Sequence, residues 1–153
     1  MPADSETPGL PVTWRPLGPR IVGIAIGAGL TVLCLFSWFG FDQETRDKFT
    51  IFQRGTLVVL GLLVGSLLYG LLRSRVEAHL DRLVVVNGYR RREFAWAEIV
   101  AVHLPPGAPW VTLDLADGET CAVMGIQGSD GARAQQAVRE LRRIVAERSL
   151  PGS

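Results

Sequence analysis

The stretch RLVVVNGYRRREFAW, residues 82–96, decides how the second half of this chain folds. Four apolar β-formers run into Asn87-Gly88, and three arginines then lead into Phe94 and Trp96. An Asn-Gly pair between two strand-like runs favours a two-residue hairpin turn whose central residues take positive φ. Such a turn pairs Val86 with Tyr89, sets Val85 against Arg90 and Leu83 against Arg92, and brings Arg82 to Glu93 as an opposite-charge cross-strand pair. Alternation along the two strands then puts Leu83, Val85, Phe94 and Trp96 on one face, the core face.

Downstream, the run EIVAVHL stops at Pro105-Pro106-Gly107, whose chemistry makes a loop. The next stretch, WVTLDLADGETCAVM, repeats the hairpin logic around Asp117-Gly118. A two-residue turn there pairs Leu115 with Thr120, Leu113 with Ala122 and Val111 with Met124. The expected buried face is Val111, Leu113, Ala122 and Met124, with Trp110, Thr112, Asp114 and Cys121 on the other side. A closing helix follows, capped by Ser129 or Asp130, with Ala134, Val138, Leu141 and Val145 at helical spacing and Arg133, Arg139, Arg142, Arg143 and Arg148 opposite.

Upstream the pattern is apolar. The 48% hydrophobic content concentrates in residues 21–41 and 55–72, two runs without a single charge. At about 1.5 Å per residue in a helix, each spans or nearly spans a hydrocarbon core of roughly 30 Å. Arg54 and Arg73 bracket the shorter run and can reach the headgroups. A cleaved signal peptide fits the first run poorly: it is longer than an ordinary apolar core, and no small-x-small site precedes the acidic residues after Phe41. Soluble core helices would carry a polar stripe, and these do not. Arg15 and Arg20 precede the first run and Arg73, Arg75, Arg82, Arg90, Arg91 and Arg92 follow the second, whereas the loop between them is balanced. Basic flanks are retained inside, so both termini are expected in the cytoplasm. Gly23 with Gly27, Gly61 with Gly65, and Ser66 with Gly70 stand four apart, a spacing that lets helix backbones approach closely in lipid, within this hairpin or with a second copy.

Chemistry-bearing patterns are sparse. A net charge of +1 gives no global affinity for nucleic acid. Cys34 and Cys121 lie far apart in sequence and outline no disulfide framework. Cys121, His103 and Asp114 are the best catalytic constellation available, provided that they share a sheet face, but no glycine-rich elbow or nest of donors accompanies them. His79 and His103 have no second ligand set, so no metal is expected, and neither a phosphate loop nor a dinucleotide fingerprint is present. No cofactor and no small-molecule substrate is implied.

Short antiparallel strands closed by one amphipathic helix outline a pleckstrin-homology-like (PH-like) barrel. Residues 73–127 resemble the bacterial PH-like domain of small actinobacterial membrane proteins, in which two hydrophobic helices precede a hairpin, a Trp-x-Glu-Ile motif and a tryptophan-led strand ending in Asp-Gly. Trp96, Glu98, Ile99, Trp110, Asp117 and Gly118 fit those positions. The resemblance implies a membrane α-helical hairpin followed by a mainly-β PH-like barrel of five to seven antiparallel strands with one C-terminal helix. It supplies no catalytic or ligand residues. The expected divisions are a disordered cytoplasmic tail over 1–20, membrane helices over 21–41 and 55–72 joined by an extracytoplasmic loop over 42–54, a cytoplasmic domain over 73–149, and a tail over 150–153. The expected function is a non-enzymatic, membrane-anchored module for protein or peptide interaction at the inner face of the plasma membrane. The alternative is a structural element sensing anionic lipid through Arg73, Arg75, Arg90, Arg91 and Arg92, each worth about 1 kcal/mol near a charged leaflet.

Overall fold

The three residues Val12, Thr13 and Trp14, β-branched and aromatic between Pro11 and Pro16, form a strand that the expected tail does not contain. The computed structural model describes residues 9–149, and in chain order its elements are β1 (Val12–Trp14), α1 (Gly18–Gly40), α2 (Gln43–Lys48), α3 (Ile51–Arg73), β2 (Arg75–Ala78), β3 (Arg82–Asn87), β4 (Arg90–Ala95), β5 (Ile99–His103), β6 (Trp110–Leu115), β7 (Thr120–Gln127) and α4 (Ala132–Arg148). Two antiparallel sheets, ordered β1-β2-β3-β4 and β5-β6-β7, and the closing helix α4 give the expected PH-like fold. β1 pairs with β2, Val12 against Ala78 and Trp14 against Val76. The domain is therefore discontinuous: one compact unit joins residues up to Gly18 with Arg73–Ser153, and the other is Pro19–Leu72. Disorder over 1–20 does not hold for this segment, because Leu10 and Trp14 pack on the core and Trp14 Nε1 donates to Glu140 Oε2 at 3.0 Å. Residues 1–8 and 150–153 lie outside the described part of the chain.

The second unit is a pair of helices, each of 23 residues with a mean hydropathy of 2.1. They begin a few residues before the expected 21 and 55, and only 6% of each apolar window is buried. Both helices are long and apolar enough to cross a bilayer. Gly23 and Gly27 lie against Leu68 and Leu72, so that a Cβ on Gly27 would stand 3.2 Å from Leu68 Cδ1. Gly61 and Gly65 meet nothing within 4 Å, whereas Gly70 is buried. The connecting segment is ordered. Asp42 caps α2 through Thr45 N–H, and hydrogen bonding from the Thr45 side chain, followed by this backbone bond, holds the Asp42 carboxyl below its usual range. Thr50 and Gln53 form a capping box on α3, each side chain bonding the other's N–H. Arg54 stacks over Trp38 at 5.5 Å and donates to the carbonyls of Phe49 and Arg46, closing the tip.

In the domain, both hairpin registers differ from expectation, and only one difference matters. The first turn is centred on Gly88-Tyr89, not Asn87-Gly88: Asn87 pairs with Arg90, Val85 with Arg92 and Leu83 with Phe94. Gly88 has φ 59 and Tyr89 does not take positive φ, the pattern of a turn with glycine at its first central position. Asn87 is drawn into the strand because its side chain serves the other sheet, donating to Ala122 O at 2.6 Å and accepting from Met124 N at 2.9 Å. This displaces the pairing by two in register, which preserves the faces, so Leu83, Val85, Phe94 and Trp96 are all buried. Arg82 still reaches Glu93, on the diagonal, at 3.4 Å.

The second turn has three residues. Gly118 N donates to Leu115 O and Leu115 N to Glu119 O, with Gly118 at φ 85 as the bulge residue. Leu113 consequently pairs with Cys121 and Val111 with Val123, a one-residue slip that turns β7 over. Cys121 and Val123 are buried in place of Ala122 and Met124. The cap of α4 also differs. Gly131 holds the N-cap position without a side-chain bond, while Asp130 accepts from Leu17 N at 3.0 Å and Gly18 N at 2.8 Å, satisfying donors at the start of α1. Ala134, Val138, Leu141 and Val145 all face the core, joined by Ala137 and Ile144. The sheets meet at a corner where a Cβ on Gly125 would stand 2.6 Å from the backbone carbon of Arg75.

Candidate functional site

Strand β3 is buried along both faces. Leu83 and Val85 enter the core, but Val84 and Val86, pointing outward, are also nearly inaccessible. On the neighbouring strands, the positions beside them carry a lattice of charged side chains. Glu77, opposite Val84, receives Arg75 Nε at 2.5 Å and has His79 Nε2 at 3.3 Å. Glu93, opposite Val84 from the other side, receives Arg91 at 2.6 Å and Arg82 at 3.4 Å. Long arginine side chains lay their methylenes over valines while their heads pair with carboxylates. The Arg75 bond, with help from His79, holds the Glu77 carboxyl below its usual range.

This arrangement divides the five arginines singled out as lipid contacts. Arg75 and Arg91 lie on the outer face of the first sheet, each with a carboxylate. Arg92 falls on the opposite side of β4, over the Phe94 ring at 5.1 Å and 3.5 Å from Glu119. Arg73 and Arg90 have no carboxylate partner among the described residues. The structure thus does not gather the five into one basic plane.

The catalytic constellation is separated by the turned-over strand. His103 Nε2 lies 2.8 Å from Asp114 Oδ2 on the exposed face of the second sheet. Cys121 points into the core, and burial pushes its thiol up in pKa, against the opposing influence of Arg92. A thiolate relay through His103 needs the sulfur on the same face. Among the described residues, no three His, Cys, Asp or Glu side chains converge to hold a metal. Among the described residues, depressions of about 320 and 310 Å³ lie along α4 beside Arg139 and Arg143 and under the Pro105-Pro106-Gly107 loop.

The functional geometry missed in the sequence is a set of side chains that close sheet edges. Arg142 Nε donates to Val102 O at 2.8 Å on β5, and Asn87 occupies backbone groups of β7. An asparagine next to glycine reads as a turn, and an arginine on an amphipathic helix reads as solubility; neither signals its partner in sequence.

A seven-strand, two-sheet domain closed by a C-terminal helix and anchored to an apolar hairpin defines the class, and the chain matches the Bacterial PH domain family over residues 73–144. It belongs to that family. Uncharacterized proteins of Mycobacterium bovis and Mycobacterium tuberculosis are each 35% identical to it over 137 residues, covering 87% of this chain and 84% of the relative. An alignment of that length cannot fit within residues 73–144, so the likeness extends into the apolar helices. No solved structure matches the chain.

Proposed function

We propose that this protein is a non-catalytic PH-like module, held at the inner face of the plasma membrane by a two-helix hairpin with both termini in the cytoplasm, and that it acts by binding a protein or peptide. The observation that carries the reading is the insertion of the hairpin between two paired strands. Only Arg15, Pro16 and Leu17 separate β1 from α1, and only Ser74 separates α3 from β2. Ser74 is itself buried and accepts from Gly88 N at 3.0 Å. An anchor spliced into a sheet differs from a domain on a loose tether. The neutralised lattice on the outer face favours recognition through a sheet edge over a flat charged contact.

The test is made in intact actinobacterial cells. Reporter fusions active only outside the membrane are placed after Lys48 and after Ser153, and a proximity-labelling enzyme is fused at the C-terminus. Activity outside at 48 alone, with cytoplasmic proteins labelled above a hairpin-only control, is the expected result. An externally active reporter at 153, or labelling no different from the control, would overturn the reading.

A further inference from the structure

The two sheets offer four outer edges, and three of them are closed. β1 is only three residues long between prolines. β5 has a register break between Ile99 and Ala101, and Arg142 occupies the Val102 carbonyl. β7 has Ala122 O and Met124 N taken by Asn87. β4 is different: it runs six residues without a register break, pairs only with β3, and no described backbone group bonds its outer side. Only its end is tied off, where Glu98 accepts from Ala95 N at 2.7 Å.

An open edge is a template for another strand, and natural proteins usually guard one with charge. Here the guard has one sign. Arg90, Arg91 and Arg92 line the open edge against Glu93 alone, and Glu93 is already engaged by Arg82 and Arg91. A second copy of the same edge would bring three more arginines and is repelled. An incoming strand with carboxylates meets Arg91 on one face and Arg90 and Arg92 on the other, because successive side chains alternate. Arg90 has no described carboxylate to give up, and Arg92 holds Glu119 only at 3.5 Å. A bilayer would need these side chains in one plane, which the alternation denies it.

We propose that the outer edge of β4, residues 90–94, binds an acidic peptide segment in extended conformation as a fifth strand of the first sheet. This rests on the interaction-module reading and supplies its surface and the chemistry of its partner. Backbone hydrogen bonds to the edge give affinity, and carboxylates facing Arg90 and Arg92 give sign selectivity.

The experiment uses the full chain in nanodiscs of uncharged phosphatidylcholine. The probe is a fluorescent octapeptide of alternating glutamate and valine, followed by anisotropy and by amide shifts of the protein. Saturable binding is expected, with shifts confined to β4 and weakened by about tenfold or more in Arg90→Glu, a change of charge at the contact itself. A version N-methylated at alternate residues is expected to lose binding, because it keeps the charge but cannot form the ladder. The lysine-valine analogue is expected not to bind. Equal binding by the N-methylated peptide, or shifts elsewhere than β4, would overturn the edge assignment while leaving the interaction reading to the labelling result. Failure of the acidic peptide would also overturn it, as would engagement of Arg90 by anionic vesicles or by a second copy. An unchanged thermal midpoint in Arg90→Glu confirms that the variant folds.

Discussion

Cutting β1 away from the domain should cost about 2–4 kcal/mol, and the structure indicates where that comes from. Trp14 is half-buried against the core; a tryptophan-sized side chain buries 150–250 Å² when fully covered, so half coverage at about 25 cal/mol per Å² is worth roughly 2–3 kcal/mol. The Trp14–Glu140 hydrogen bond contributes about 1 kcal/mol, and the half-buried Leu10 about as much again. The entropy cost of ordering the segment is opposed further by its pairing with β2 and by the burial of Pro16, which leaves a net of about 2–4 kcal/mol. The net is still large beside a total stability of about 5–15 kcal/mol. Removing β1 also bares the edge of β2.

Three proteins separate the possibilities: a fragment of residues 73–149, a chimera in which residues 9–17 lead through a short glycine-serine turn into 73–149, and the full chain in detergent carrying Trp14→Ala. The chimera replaces the helical hairpin with a turn, which the direct pairing of Trp14 with Val76 permits. Urea unfolding is followed by far-ultraviolet circular dichroism. The chimera should unfold cooperatively, the fragment at a midpoint lower by about 1.3–4 M for an m-value of about 1–1.5 kcal/mol per M, and the alanine variant with a loss of about 2 kcal/mol. A fragment as stable as the chimera, within about 0.5 kcal/mol, would refute the claim that β1 belongs to the domain.

Gly125→Ala should lower the thermal midpoint by about 5–15 °C, since its Cβ would meet the Arg75 backbone at 2.6 Å and overpacking costs about 1–3 kcal/mol; calorimetry checks it, and an unchanged midpoint means that the corner yields. Glu77 has its carboxyl lowered in the folded state by Arg75, so its contribution is present above the unfolded value and is lost as pH falls through the folded one. Glu77→Gln should therefore be less stable than the native protein near neutrality and converge with it below about pH 4, as pH-dependent melting would show. Cys121, buried and with its thiol raised, should be alkylated at neutral pH only where denaturant unfolds the domain; mass mapping of native Cys121 adducts would contradict the burial.

Apolar runs and turn signals located β3 to β7, because a strand that faces a core must show it in its side chains, whereas the four residues of β2 were not singled out. Register is a different kind of information. It depends on loop length, and Leu115 to Glu119 closes as a three-residue loop where Asp117-Gly118 reads equally well as a two-residue one. That single residue decided the candidate chemistry, since it turned Cys121 away from His103. The Asn87-Gly88 turn was misplaced as well, but by a displacement that returned each side chain to its expected face, so the core was legible although the pairing was not. β1 was hidden for a third reason: three residues show too little periodicity to read, and their partner strand is more than sixty positions away, across the apolar hairpin. Apart from the local loop at Leu115–Glu119, the discrepancies share an origin, a bond to something distant in sequence: Asn87 to β7, Asp130 to the start of α1, Trp14 to Glu140. The open edge of β4 belongs to the same class, since it is defined by what other strands leave unpaired.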